Sequence, residues 1–174
     1  MFEKFFNPKS VAVIGASRKK NSAGHGILKS LLKGGVFKSN TNRAFKGKIY
    51  AVNPNANKIL GVKCSASILE IKEKIDLAII VVPSKIIPEI MKQCAEKKID
   101  SAIIISAGFS EIGKEGIELE NEILHIAKKN NIRILGPNCL GLLRPSSNIN
   151  ASFGPCMPRH GNVAFFSQSG ALID

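Results

Sequence analysis

Short runs of Val, Ile and Leu alternate along this chain with longer segments in which apolar residues return at helical spacing. The short runs predict strands at Val11–Ile14, Ile49–Val52, Leu77–Val82, Ala102–Ser106, Arg133–Leu135 and Val163–Phe166. They are near-continuously apolar, as in a parallel sheet covered on both faces. Ile86, Ile87, Ile90, Met91, Cys94 and Ala95 line one face of a helix whose first turn tolerates Pro88. The stretch from Lys114 to Asn131 predicts another, with Glu115 and Glu118 at its start and Lys128-Lys129 at its end, the order a helix dipole favours. Gly26–Leu32 and Ser65–Lys74 read as further helices, the crossovers that parallel neighbours need.

From Pro145 to Gly161 the periodicity lapses into Pro145, Pro155 and Pro158 among Ser146, Ser147, Asn148 and Asn150, which reads as a connector. Then come a strand, a tight turn and the bare start of a helix, ending at Asp174. So short a helix cannot close its own turns, and the chain is expected to be cut from something longer. The expected architecture is α/β: a Rossmann-like, doubly wound, mainly parallel sheet with helices on both faces over residues 1–145. A connector over 146–161 and the first strand of a truncated second domain over 162–174 complete it.

With 174 residues, 44% of them hydrophobic, the chain can bury one core. Its longest apolar run, Leu77–Val82, is far short of the roughly 20 residues of a bilayer span, and no apolar segment follows Glu3 and Lys4 as in a secretion signal. A cytoplasmic protein with no membrane partner is expected. Cys64, Cys94, Cys139 and Cys156 are scattered, with no C-x-x-C pair, so neither a metal cage nor a disulfide scaffold is indicated; reduced, buried thiols are expected.

The net charge of +12 changes the picture through its placement. Residues 1–63 hold 13 Lys and Arg against Glu3 alone, whereas the rest of the chain is balanced, 12 against 12. A nucleic-acid binder would set aromatic platforms among its cations, but there is no Trp and one Tyr. The cations fall instead at the carboxyl ends of predicted strands, where open α/β sheets bind ligands.

After the first strand comes Gly15-Ala-Ser-Arg-Lys-Lys20, where Gly15 permits a tight turn and the following amides form an anion site. Ser17 and Lys20 stand where the dinucleotide fingerprint needs glycine, and the second strand ends in Asn53-Pro54 rather than an acid for a ribose hydroxyl. Both departures argue against NAD. Ser17, Arg18, Lys19 and Lys20 suit a ligand with several phosphates. Lys58 follows the second strand, and Val82-Pro83 ends the third beside an apolar surface. Ser106-Ala107-Gly108 lets a ligand chain approach the backbone, and Gly136-Pro-Asn-Cys139 ends the fifth.

Gly-Ala-Ser, Val-Asn-Pro, Val-Pro, Ser-Ala-Gly-Phe-Ser-Glu, Gly-Pro-Asn-Cys-Leu-Gly and Ser-Gln-Ser-Gly-Ala-Leu occur in this order. Taken together they resemble the N-terminal CoA-binding domain of the NDP-forming acyl-CoA synthetases, the ADP-forming acetate–CoA ligases related to succinyl-CoA synthetase α subunits. The resemblance implies that Gly15, Ser17, Arg18, Lys19, Lys20, Asn53, Lys58 or Lys63, Val82, Pro83, Ser106, Ala107, Gly108 and Asn138 contact coenzyme A. It implies a flavodoxin-like second domain, in which Ser169 and Gly170 open a helix cradling a phosphohistidine that lies beyond Asp174. In the family, acyl-CoA and phosphate give an acyl phosphate, whose phosphoryl group passes through that histidine to ADP. ADP, ATP and Mg would therefore belong to regions absent here, with an ATP-grasp-type subunit or domain as partner in a hetero-oligomer. His25, His125 and His160 are not read as the phosphoryl carrier, and Cys139, with no base paired to it, reads as a small buried residue. The fragment is expected to bind CoA and to catalyse nothing by itself, with no catalytic residue and no metal. The competing reading is a stand-alone CoA- or nucleotide-sensing module.

Overall fold

The computed structural model describes residues 2–172. Its core is a seven-stranded sheet in the order β3-β4-β2-β1-β5-β6-β7, parallel except for the β3–β4 hairpin at one edge. The strands are β1 (Ser10–Ile14), β2 (Lys48–Val52), β3 (Lys58–Ile59), β4 (Val62–Ser65), β5 (Leu77–Ile80), β6 (Ser101–Ile104) and β7 (Arg133–Leu135). From β1 the chain steps outward to β2 and the hairpin, then returns to β5 on β1's other side. In open α/β sheets such a reversal marks the place where ligands bind, here the carboxyl ends of β1 and β5.

Alternate β1 residues serve two cores. Val11 and Val13 join Ile27, Leu28 and Leu31 of α2 (Ala23–Lys33), while Ala12 and Ile14 join Met91 and Cys94 of α3 (Ile87–Glu96) and Ile123 and Ile126 of α4 (Lys114–Lys129). All four β1 positions are buried, which is why the strand carries no polar alternation. A short α1 (Glu3–Phe6) adds Phe5 to the α2 side.

Five of the six predicted strands and both long helices stand, with edges shifted by a residue or two. The strand expected over Leu77–Val82 ends at Ile80. Val81 still donates to the Ile14 carbonyl at 2.8 Å, but Pro83 has no N–H with which to continue. The strand expected over Ala102–Ser106 ends at Ile104. Three expectations need correction. Ser65–Lys74 holds only one 3-10 turn, Ile68–Glu70: the Ser67 hydroxyl accepts from Leu69 N and Glu70 ties Ala66 N, closing one turn locally in competition with a helix.

Second, the connector over 146–161 contains a strand. β8 (Gly141–Arg144) and β9 (Ile149–Ser152) pair antiparallel around Pro145–Ser147, and every β9 residue is buried against the α2 face. Polar Asn150 and Ser152 disguised it. Asn150 Nδ2 donates to Gly34 O at 3.0 Å and Ser152 Oγ to Asn150 Oδ1 at 2.6 Å, so both are satisfied inside. Third, Val163–Phe166 pairs with no strand among the described residues: Val163 is 94% exposed, Phe165 65% and Phe166 81%. A strand needs a neighbour for its N–H and C=O groups, and this segment has none. Ile173 and Asp174, where the second-domain helix was expected to continue, lie outside the described residues.

Candidate functional site

The carboxyl edge of the sheet is built first by glycine. Gly15 has φ +93°, its N–H reaches Val52 O at 3.0 Å, and a Cβ there would lie 2.1 Å from the Val81 carbonyl. A Cβ on Gly24 would lie 2.1 Å from Gly15 O, so the start of α2 packs directly on the turn.

Between these glycines, three carbonyls are tied back by side chains. Asn53 Nδ2 donates to Ala16 O at 2.7 Å, His25 Nδ1 lies 2.9 Å from Ser17 O, and Ser22 Oγ donates to Lys19 O at 2.8 Å. In a planar trans peptide the C=O and the next N–H point in opposite directions. Each tie therefore turns one amide away from its anchor: those of Ser17, Arg18 and Lys20, which donate to no acceptor among the described residues. Ser17 Oγ accepts from Lys19 N at 3.1 Å and tightens the same turn. Three amides without acceptors in a loop that opens a helix are a cradle-like arrangement that suits an anion.

Arg18, Lys19 and Lys20 belong to this loop, and Lys58 and Lys63 to the β3–β4 hairpin. Arg18 Nη2 donates to Asn55 O at 3.1 Å, tying the first loop to the second, where Asn53 Oδ1 accepts from Asn55 N at 2.7 Å. Asn53 is thus spent on both loops and shapes the cradle. Lys58 and Lys63, alternatives in the sequence, stand directly opposite each other in the β3–β4 register. Like charges facing across strands repel. The described ion pairs are Lys4–Asp100 and Lys92–Glu122, so Arg18, Lys19, Lys20, Lys58 and Lys63 have no carboxylate partner among the described residues.

Farther along the edge the chemistry changes. Ser106 Oγ donates to Val82 O at 2.6 Å, joining the ends of β5 and β6, and Asn138 N donates to Ser106 O at 3.0 Å, joining the turn after β7. Gly108, at φ +101°, is held by Glu111, whose Oε1 accepts from Gly108 N at 2.5 Å and Oε2 from Phe109 N at 3.1 Å. Those bonds, led by that from Gly108, hold the Glu111 carboxyl below the usual carboxylate range. Burial pushes the Cys139 thiol up to about 11, and its Sγ faces Ile104 O, so it is no nucleophile at neutral pH.

The expected contacts on five strand ends therefore share one edge, whereas Lys58 and Lys63 lie within the hairpin, one step before the Ala51–Cys64 pair. Ser169 and Gly170 do not join it as a helix start: they stand at a single 3-10 turn, Gly170–Leu172. Cys94 is buried, whereas Cys64, Cys139 and Cys156 are half-buried, short of the burial expected of all four; all are free thiols. No group of three or more His, Cys, Asp or Glu able to hold a metal occurs among the described residues, and none of their helices is long and apolar enough to cross a membrane. The sequence reading gave no role to His25, Ser22 or Glu111; a Ser three positions before His25 was the available signal of a capped turn.

Outward amides and unpaired cations after β1, with the small residues Ser106, Ala107 and Gly108 after β6, sit on a Rossmann-like sheet whose carboxyl ends suit a phosphate-bearing cofactor. Residues 9–145 match the CoA binding domain family, and the chain belongs to it. It is 46% identical over 167 residues to an ADP-forming acetate–CoA ligase of Methanocaldococcus jannaschii, covering 96% of this chain and 22% of the relative. It is 42% identical over 172 residues to the α subunit of ADP-forming acetate–CoA ligase II of Pyrococcus furiosus, covering 99% and 35%. A solved Ca. Korarchaeum cryptofilum acetyl-coenzyme A synthetase, in complex with phosphate and ADP, superposes with a TM-score of 0.89 at 39% identity, over 99% of this chain and 35% of that one. The chain thus spans between about a fifth and about a third of these relatives.

Proposed function

We propose that this chain is the coenzyme A-binding part of a longer ADP-forming acid–CoA ligase, which interconverts acyl-CoA, ADP and phosphate with the free acid, CoA and ATP. The observation that supports the reading is the loop after β1, where three amides turned outward stand among Arg18, Lys19 and Lys20, none of them paired to an acid among the described residues. Coenzyme A supplies the thiol that carries the acyl group. Arg18, Lys19, Lys20 and the loop amides hold its diphosphate, and Lys58 with Lys63 a further phosphate. Ser106, Ala107 and Gly108 line the pantetheine arm, Val82 and Pro83 lie beside the nucleotide, and Asn138 lies near the thiol end. The phosphoryl-carrying histidine, the ADP and Mg sites and an ATP-grasp partner belong to the rest of the enzyme, whose next domain residues 162–174 begin, with Ser169 and Gly170 at its phosphate turn. The identity to acetate–CoA ligases, one of them an α subunit, supports this reading.

Titration calorimetry with CoA, dephospho-CoA, NAD and ATP tests it. CoA is expected to bind tightest and dephospho-CoA more weakly; NAD binding tighter than CoA overturns the reading.

A further inference from the structure

The middle tie of the cradle is a histidine that the cofactor reading does not explain. His25 is the third residue of α2, behind the cap Ser22, and its own N–H is taken by Ser22 Oγ at 3.3 Å. Its half-buried ring places Nδ1 2.9 Å from the Ser17 carbonyl. A carbonyl only accepts, so Nδ1 carries the proton, as it does in one neutral tautomer and in the imidazolium alike.

We propose that His25 is a positioning residue for the cofactor's phosphates: by holding the Ser17 carbonyl it aims the Arg18 amide into the cradle. This rests on reading loop 15–22 as the phosphate site. The peptides on either side have other fasteners, Asn53 at Ala16 O and Ser17 Oγ at Lys19 N, but Ser17 O accepts from no other group among the described residues. Remove the ring and the Ser17–Arg18 peptide is free to rotate, so its amide must be ordered again each time a phosphate binds. His25 acts through geometry, so its contribution does not depend on carrying charge.

Three variants of the chain test this by calorimetry with CoA and with pantetheine, alongside thermal unfolding without ligand. His25→Leu removes the donor and His25→Gln moves it to the Nε2 position, out of reach of Ser17. His25→Asn restores it, because its Nδ2 stands where Nδ1 stood. Leu and Gln are expected to weaken CoA about tenfold, the scale of one charge-assisted amide bond, with pantetheine binding unchanged. Asn is expected to stay within about twofold of wild type, and the ratio of the two affinities to stay flat from pH 8 to 5.5. The proposal is overturned by unchanged CoA binding in Leu and Gln, by failure of Asn to rescue, or by equal loss of pantetheine. It is also overturned if the wild-type-to-Asn ratio climbs as pH falls, which marks a charge touching the ligand. A wild type that does not bind CoA sinks the cofactor reading; a wild type that binds it while Leu and Gln bind equally sinks only the role of His25. If Leu does not fold, the comparison of Gln with Asn decides.

Discussion

The loops after β1 and β2 and the loops after β5 and β6 share one sheet edge but are held in opposite ways. On the first side the side-chain donors of Asn53, His25 and Ser22 hold backbone carbonyls and leave amides and cations outward. On the second side carboxylates hold the backbone amides: Glu111 takes those of Gly108 and Phe109, and Glu120 Oε2 takes that of Ser110 at 3.1 Å. Where the carbonyls are tied the edge attracts anions. Where the amides are consumed by acids it offers a phosphate nothing, and small residues instead leave room for a neutral chain. In the proposed coenzyme A reading, the two sides would take the charged and the uncharged parts of one ligand.

The largest expected disruption falls on the frame both sides share. Gly15→Val puts a branched Cβ into the Val81 carbonyl at a positive φ, and should destabilise the fold by about 3 kcal/mol or more. Urea unfolding reads this, and a near-wild-type midpoint would show that the turn yields.

Arg18→Ala with Lys20→Ala removes charge from the first side only, and should cost CoA about 2 kcal/mol of binding while sparing the fold and pantetheine affinity. Equal loss of pantetheine would erase the division between the two sides.

Lys58→Ala with Lys63→Ala should weaken CoA by about 1 kcal/mol yet stabilise the ligand-free chain by a few tenths, about the cost of one exposed like-charge pair. Opposite signs in calorimetry and thermal unfolding are the signature; the same sign in both would mean the lysines do not repel.

The smallest effect is a pH dependence of the second side. The Glu111 carboxyl is held below its ordinary value, so its support of the Gly108 turn is complete above that ordinary value and is lost as pH falls through the lower, folded one. Hydrogen exchange at Gly108 and Phe109 should accelerate there in wild type, relative to the intrinsic rate. In Glu111→Gln the exchange should be faster at neutral pH and flat through that range.

The parallel strands β1, β2, β5, β6 and β7, both long helices and the cationic loops were legible because burial on both faces writes continuous apolar runs, and a turn that needs φ > 0 writes a glycine. Other features were not. β9 is hidden because Asn150 and Ser152 find their partners at Gly34 O and within the strand itself, a fact no local pattern records. The β3–β4 hairpin escaped because two-residue β3 is too short to show a period. Val163–Phe166 has the composition of a strand but pairs with none among the described residues, and composition does not report neighbours.

Local chemistry thus dictated which residues carry charge, which turns need glycine and which runs go inside, since these depend on side chains and on φ alone. Tertiary structure decided what those residues do to one another. Lys58 and Lys63 became a facing pair only when the hairpin set their register, and Asn53 became a brace only when β2 was laid beside β1. His25, eight residues from Ser17 along the chain, became its donor only when the first turn of α2 packed back on Gly15. Each is a contact between segments that the sheet brings side by side, so its geometry does not exist until the sheet does.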